Sequence, residues 1–487
     1  MNIIRAIKDT NLFGAFLGAD LTSWHNWMTS LRVLYGLPLN RNKTQLIKEC
    51  TGRDINQLPK DGFNTALFLT GRRSGKSRIS AIIAAYEAAL SGKEKLLSKG
   101  EVGMVAILAP TKKQARIVKN YLRAIFVETP LLKNEIESET AEGFLLNNGV
   151  LIEILCGDWR SIRGYTLLAC VIDEVCFFGL TEESKVRNDT ELIVAIKPSL
   201  TTTNGRCICI SSPYARKGWA YNQFKRNFGN DLGKILVWNS ASRVMNPTLS
   251  EDVVAEALAE DLQAAKSEYL GEFRDDICIW LPREVIESIV IKGRKELLPN
   301  TSKIQYFGFA DVSGGRSDDA GLAIGHKTER KVVIDFLKRY RSPHNPYQIV
   351  AAMCGELGRY KIKRIVGDNY SAEFVKNAFE QNGIRYEKSE LPKSGLYLEL
   401  LPRICSGEIE LLDDEVSINQ LTNLERRTRS GGKDIVDHCP GGHDDISNCI
   451  AGLSAIAGRR KVICGGWETD IHAFTGVNLR KLEHSYS

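Results

Sequence analysis

Two sets of residues in this 487-residue chain have types and spacing suited to chemistry on phosphates. The first opens with LFLTGRRSGKSR, Leu67 to Arg78. A phosphate-binding loop carries a glycine, four residues, then Gly-Lys-Ser/Thr. Backbone N–H groups and the positive end of a following helix face the anion, the lysine reaches the β/γ-phosphates, and the hydroxyl holds Mg2+. Gly75, Lys76 and Ser77 match this pattern, while Thr70 stands at the first glycine position and Gly71 follows one step later. Arg72, Arg73 and Ser74 fill the loop. About a hundred residues on, LLACVIDEVCFF is an apolar run ending in Asp173 and Glu174. Asp173 there suits the Mg2+ shell, and Glu174 suits polarisation of an attacking water. The second set is acidic: Asp311, Asp368, and the pair Asp444 and Asp445. Hard cations take carboxylate oxygens, so these acids are candidate metal ligands.

These residues need elements that place them. NTALFL reads as a buried strand before the loop, and SRISAIIAAYEAALSG as a helix after it, closing near Gly92. VGMVAILAPTKKQARIV, GVLIEILCGDWRSIRGYTLL and GRCICISSPYARKG each read as strand then turn, the last ending at Ser211, Ser212 and Pro213. Repeated strand–helix alternation predicts an α/β fold with a mainly parallel sheet over about residues 60–240. Ligands bind such sheets at the C-terminal ends of the strands, so Ser211 and Ser212 are placed to sense a γ-phosphate. Downstream, IQYFGFADVSGG is a strand ending at Asp311, and IKRIVGDNYSAEFVKNAF a strand ending at Asp368 before a helix. GGHDDISNCIAGLSAIAG begins a helical run at Asp444-Asp445. Taken singly, Asp311, Asp368 and Asp444 are readable as turn or helix caps, and Asp318 and Asp319 as loop acids.

Apolar (43%) and charged (25%) fractions are those of a globular protein, and the length allows two or three domains. No apolar run reaches membrane-spanning length, and MNIIRAIKDTNLFGAF lacks a signal-peptide cleavage pattern, which predicts an intracellular protein without membrane contact. The 12 cysteines form no CxxC pair and read as buried thiols. His438, Cys439, His443 and Cys449 fit no usual zinc spacing. A net charge of +6 permits nucleic-acid binding without establishing it.

The order of TGRRSGKS, LAPTKKQA, SIRGYTLLACVIDE, SSPY and NPTLSEDVVAEALAEDLQAAKSEYLGEF resembles the large terminase subunit of tailed bacteriophages, from about residue 60 to 455. An arginine-rich loop with a displaced glycine is common in that family. The resemblance implies a P-loop ATPase domain followed by an RNase H-like mixed-sheet nuclease domain. It implies ATP with Mg2+ as cofactors, and Mg2+ or Mn2+ at the nuclease site. Its catalytic residues would be Glu174, Asp311, Asp368, Asp445 and Arg163, the last as an arginine finger reaching a neighbour's ATP. Arg72 and Arg73 are the alternatives within one subunit. Asp311 would bridge both metals. Related resolvases carry acids three residues apart on the last helix, and Asn448 stands at that position counted from Asp445, which leaves the third ligand open between Asp444 and Asp445, with Asp445 preferred. The implied partners are double-stranded DNA, a phage portal protein and a small terminase subunit, in the host cytoplasm. A homo-oligomeric ring is implied during packaging, with a monomer in free solution left open.

The expected organisation is a helical segment over 1–55, an ATPase domain over 56–290, a linker over 291–303, a nuclease domain over 304–464 and a tail over 465–487. LTSWHNWMTSLRVLYGL in the first segment reads as an amphipathic lid or partner-binding helix. Lys393 is a candidate phosphate contact, and Arg426, Arg427 and Arg429 a basic cluster able to track a DNA backbone; each reads equally as solvated surface. Two rival functions fit the same motifs: a helicase or remodelling ATPase fused to an RNase H-like domain, and an assembly scaffold with an inactive nuclease.

Overall fold

The computed structural model describes every residue except 157–161, 163, 181–187, 301–303, 314–317, 369–372, 429–433, 440–441, 459, 465–466 and 472–487. The chain divides into two compact units, one spanning Met1–Cys278 and the other Ile279–Cys439 with His443 onward.

The first unit is built on β1 (Thr65–Thr70), β2 (Gly103–Ala109), β3 (Ile136–Glu139), β4 (Gly143–Leu146), β5 (Leu151–Cys156), β6 (Thr166–Asp173), β7 (Arg206–Ser211) and β8 (Ile235–Ser240). They form one 8-stranded sheet in the order β3-β4-β5-β2-β6-β7-β1-β8. The pairs of β1 with β7 and β8, of β2 with β5 and β6, and of β6 with β7 are parallel; β4 runs antiparallel to β3 and β5. Every residue of β2 is buried, as expected of a central strand covered on both faces. Helices α1 (Ile3–Lys8), α2 (Phe13–Leu17), α3 (His25–Leu34), α4 (Thr44–Thr51), α5 (Lys76–Ala89) and α6 (Lys112–Glu128) contribute to one core. On a separate core lie α7 (Asp189–Ile196) and α8 (Gly218–Asn227). The short helices α9 (Ser242–Met245), α10 (Glu251–Glu260) and α11 (Leu262–Ala265) follow, and β9 (Ile277–Ile279) marks the division. Residues 1–55 are not a separate segment: Ile3, Phe13, Trp27, Leu31 and Ile47 lie in the same apolar cluster as Phe68 and Ile82.

The second unit starts earlier than the sequence suggests. Trp280 and Leu281, then Ile286, Ile289 and Val290 in and after α12 (Arg283–Ser288), are buried with Leu396, Tyr397 and Leu400. Residues 291–300 are likewise tied down, with Leu297 N–H donating to Asp335 and Arg294 paired with Glu410. Residues 291–300 are thus a connection inside this unit, 301–303 lie outside the described residues, and the division falls at 278/279. Its main sheet contains β10 (Tyr306–Asp311), β11 (Ala320–Lys327) and β12 (Val332–Tyr340), then α13 (Pro346–Arg359), β13 (Arg364–Gly367), α14 (Glu373–Gln381) and β14 (Arg385–Lys388). After α15 (Lys393–Cys405) comes β15 (Ile409–Glu410), and the sheet order is β14-β13-β10-β11-β12-β15. Strands β10, β11 and β12 form an antiparallel meander, while β13 and β14 add in parallel beside β10. This is the mixed-sheet order of an RNase H-like fold. Beyond α16 (Glu415–Thr422), the antiparallel pair β16 (Leu424–Thr428) and β17 (Asp434–His438) leads to α17 (Asp445–Gly458), which packs on the meander. The hairpin of β18 (Arg460–Cys464) and β19 (Trp467–Ile471) runs across the expected domain end at 464.

Candidate nucleotide and metal sites

Parallel register brings the first set of residues to one end of the sheet in the Met1–Cys278 unit. Leu69 on β1 pairs with Ser211 on β7, and Asp173 on β6 pairs with Ile210. The loop after β1, the Ser211-Ser212 turn and the Asp173-Glu174 end are therefore neighbours. Gly75 adopts φ +96°, a left-handed conformation that a side chain would strain, and α5 starts directly after it. Lys76 is buried, and its Nζ donates to the Thr70 and Gly71 carbonyls at 3.0 Å each and to Ser212 Oγ at 2.9 Å. Glu174 Oε1 lies 3.7 Å from that ammonium. Glu174 Oε2 accepts from the Ser212 N–H at 3.1 Å, with the Ser211 hydroxyl also 3.1 Å away. Ser77 Oγ is 3.5 Å from Asp173 Oδ2, and Asp173 Oδ1 is buried without a partner among the described residues. Burial, then the neighbouring Glu174, pushes the Asp173 carboxyl up to about 7. A carboxylate with an open oxygen beside a hydroxyl fits a hard cation, which would return the charge that burial disfavours.

Three residues of the loop's support escape a motif reading. Trp27 Nε1 donates to the Ser74 carbonyl at 2.6 Å, Asn246 Nδ2 donates to the Arg73 carbonyl at 2.7 Å, and Ser242 Oγ donates to the Arg72 carbonyl at 2.7 Å. Thr70, the departure from the glycine pattern, is buried with its hydroxyl 2.9 Å from that of Ser74. Arg72 forms an ion pair with Glu268 at 3.1 Å, and its N–H donates to the Glu268 carbonyl. Arg73 has an exposed side chain and φ +63°. A cavity of about 510 Å³ lies over the loop, lined by Leu17, Asp20, Trp24, Tyr121, Met245 and Thr248 together with the loop residues and Glu174. Arg163 lies outside the described residues.

In the second unit Asp311 ends β10 and Asp368 follows β13, and these strands are parallel neighbours. Helix α17 crosses close to them because Gly321 on β11 leaves room: a Cβ there would lie 2.7 Å from the Asp445 carbonyl and 2.9 Å from Cys449 Sγ. The first turn of α17 is fixed by Gln420, whose Oε1 accepts from the N–H groups of Ile446 at 2.9 Å and Ser447 at 3.1 Å. Asn448 Nδ2 then donates to Asp311 Oδ2 at 2.7 Å and lies 3.4 Å from Asp368 Oδ2. Burial raises the Asp311 carboxyl to about 7; the Asn448 hydrogen bond works against this, and the Asp368 and Asp445 charges reinforce it. Burial, then Asp444, raises Asp445 to about 6.

The two adjacent acids differ in surroundings. Asp444 Oδ2 is 2.6 Å from Lys393 Nζ and accepts from Tyr397 OH at 3.0 Å. Lys393 is also 3.1 Å from Asp437, and these two carboxylates outweigh burial and raise the Lys393 pKa. Asp445 Oδ2 is buried with no hydrogen-bond partner among the described residues and lies 3.9 Å from His443 Nδ1. Asp368 Oδ1 is likewise buried and without a partner among the described residues. Among the described residues no three His, Cys, Asp or Glu side chains stand close enough to form a finished metal shell. The open oxygens of Asp368 and Asp445, with the raised Asp311, fit a hard divalent cation all the same. Asp319 is taken up by Arg339 and by the Ser342 N–H at 2.7 Å. Arg427 lies 3.4 Å from Glu425, and Arg429 falls outside the described residues. Cys170, Cys207, Cys209, Cys439 and Cys449 are buried and in no disulfide, whereas Cys278 and Cys405 are exposed.

Fold and sites together define an α/β chain that joins a P-loop unit to an RNase H-like unit. No protein-family model and no curated protein matches it. Among solved structures it is similar to the large terminase of bacteriophage HK97, at 14% identity over 93% of this chain and 98% of that one, with a TM-score of 0.40. It is also similar to the large terminase of a thermophilic bacteriophage in complex with ADP, at 11% identity over 88% and 98%, with a TM-score of 0.37. The large terminase nuclease of thermophilic phage G20c with bound magnesium matches at 20% identity over 33% of this chain and 92% of that one, with a TM-score of 0.28. At these identities the likeness concerns the fold and reaches no individual side chain. No helix among the described residues is long and apolar enough to cross a membrane.

Proposed function

We propose that this chain is the large subunit of a viral DNA-packaging terminase. In this account it is an ATPase that drives double-stranded DNA into a procapsid and a divalent-metal-dependent endodeoxyribonuclease that cuts the concatemer. The observation that carries the reading is the pairing, in one chain, of a Lys76-centred cradle facing Asp173 and Glu174 with a separate unit that groups Asp311, Asp368 and Asp445. The motif order noted in the sequence singles out terminases among proteins that could combine the two.

In the first unit Lys76 exchanges its carbonyl and hydroxyl partners for β/γ-phosphate oxygens. Gly71, Arg72, Arg73, Ser74 and Gly75 supply the backbone cradle, and Ser77 and Asp173 hold Mg2+. Glu174 orients the attacking water, and an arginine neutralises charge on the γ-phosphate. Arg73 fills that role within one subunit, since Arg72 is paired with Glu268; Arg163 fills it across a homo-oligomeric ring. In the second unit Asp311, Asp368 and Asp445 hold Mg2+ or Mn2+, which when bound would activate water and stabilise the leaving oxygen. Asp444 orients Lys393 toward the backbone of bound DNA. A portal protein and a small terminase subunit are the partners, in the host cytoplasm.

The test is ATP-dependent protection of duplex DNA from added nuclease in the presence of portal-bearing procapsids. Protection of DNA that stays double-stranded supports the reading. Strand separation without protection would favour a helicase or remodelling enzyme, and protection without any metal-dependent cutting a packaging protein with an inactive nuclease.

A further inference from the structure

Asn448 occupies an unusual place for a neutral residue. It is fully buried on α17, one turn after Asp445, and so on the same helix face. One amide nitrogen reaches two carboxylates on adjacent strands, at 2.7 Å from Asp311 Oδ2 and 3.4 Å from Asp368 Oδ2. Among the described residues three buried oxygens of these side chains have no hydrogen-bond partner: Asp368 Oδ1, Asp445 Oδ2 and Asn448 Oδ1. Unpartnered buried polar atoms are costly, and a ligand that completed them would offset that cost. Yet no three acidic, histidine or cysteine side chains among the described residues close into a shell. An amide stands within the group.

We propose that Asn448 is a positioning residue with two linked effects. Its N–H donors crosslink Asp311 and Asp368 while no cation is bound, so the carboxylates are held near one another without mutual repulsion separating them. Its neutrality also keeps the affinity for a divalent cation low, until phosphate oxygens of duplex DNA supply the missing negative charge. Affinity for hard cations rises with the number of charged oxygens offered, which is the physical basis of the second effect. Cutting is then conditional on DNA being seated, without a separate lid. This inference rests on the nuclease reading of the second unit.

The test is calorimetric titration of the full chain with Ca2+, with and without a short DNA duplex, alongside thermal melting. Asn448→Asp is nearly isosteric but replaces donors with charge. The wild type should bind Ca2+ weakly alone and about tenfold or more tightly with duplex. Asn448→Asp should bind about tenfold or more tightly than wild type without DNA, and gain little when duplex is added. Equal affinity of the two proteins, or no effect of duplex on the wild type, overturns the proposal. Asn448→Ala needs no buried charge: it should lower the cation-free melting temperature and recover part of it with Ca2+. An unchanged melting temperature overturns the crosslink. Asp311→Asn serves as the control, because a Ca2+ response that survives it would sink the nuclease-site reading itself rather than the role of Asn448 alone.

Discussion

Lys76 Nζ donates to Ser212 Oγ at 2.9 Å, joining the loop after β1 to the end of β7 across the sheet. The same turn holds Glu174 through the Ser212 N–H. Any ligand that draws the lysine away must therefore act on the Ser211-Ser212 turn and the glutamate together. Lys76→Ala should lower ATP turnover by about 10²–10³-fold, the usual effect of removing one preorganised donor from developing charge. Ser212→Ala keeps the ammonium and should cost less. Steady-state ATPase rates decide this, and a larger loss in Ser212→Ala than in Lys76→Ala would contradict it.

Asp444 and Asp445 should behave differently despite being adjacent. Asp445 has an open buried oxygen, whereas Asp444 is engaged by Lys393 and Tyr397. Asp445→Asn should abolish the rise in melting temperature caused by Mn2+. Asp444→Asn should retain most of that rise while weakening duplex binding through misplacement of Lys393. The opposite ranking in Mn2+-dependent melting would make Asp444 the ligand.

The raised carboxyl groups give the cation-free protein a defined pH response. Asp311 and Asp173 both titrate near 7 in the folded chain, against an ordinary value of 3.8. Between those values the folded state binds more protons than the unfolded state, so stability from these groups falls as pH rises from about 4 to about 7. Melting in chelator should accordingly show Asp311→Asn gaining on wild type as pH rises through this window. Stabilisation by Mn2+ should be larger at pH 8 than at pH 5.5, because protons compete for the same oxygens. A pH-independent difference between variant and wild type would refute the assignment of Asp311 as a raised carboxyl.

Residues 280–290 should be indispensable to the second unit. A fragment of 279–487 retains Trp280, Leu281, Ile286, Ile289 and Val290 in its core, and one of 300–487 loses them. Each such side chain contributes about 1.5–3 kcal/mol on burial, so their sum rivals the whole stability of a typical domain. The longer fragment should melt cooperatively and the shorter should not. Equal cooperative melting of both would return the boundary to 291–303.

What the sequence disclosed follows the range of the forces involved. Gly75, Lys76 and Ser77 were legible because loop, strand and helix are contiguous, and Asp311 because a strand's apolar run ends at it. The placement of Asp173 and Glu174 at a strand end needed only one more buried strand. Trp27, Ser242 and Asn246 were not legible as loop supports, because their partners lie tens to hundreds of residues away and their own surroundings in sequence carry no phosphate signal. The choice between Asp444 and Asp445 depends on how α17 is rotated, which Gln420 and Gly321 set through tertiary contacts. The domain division differs from the one expected because 291–303 have linker composition, whereas the second unit has already begun at Ile279 and residues 291–300 are bonded within it.

Two independent sites in one chain, one for ATP and one for a metal-dependent cut, are the core of the proposed function. Asp311→Asn in the full chain probes this without intermediaries, with nicking of supercoiled plasmid in Mn2+ and ATP hydrolysis measured on the same preparation. The wild type should nick the plasmid and the variant should not, while both hydrolyse ATP at rates within about twofold, since separate sites couple weakly. Undiminished nicking by Asp311→Asn, or loss of both activities in a variant that melts like wild type, would rule out two independent sites as assigned.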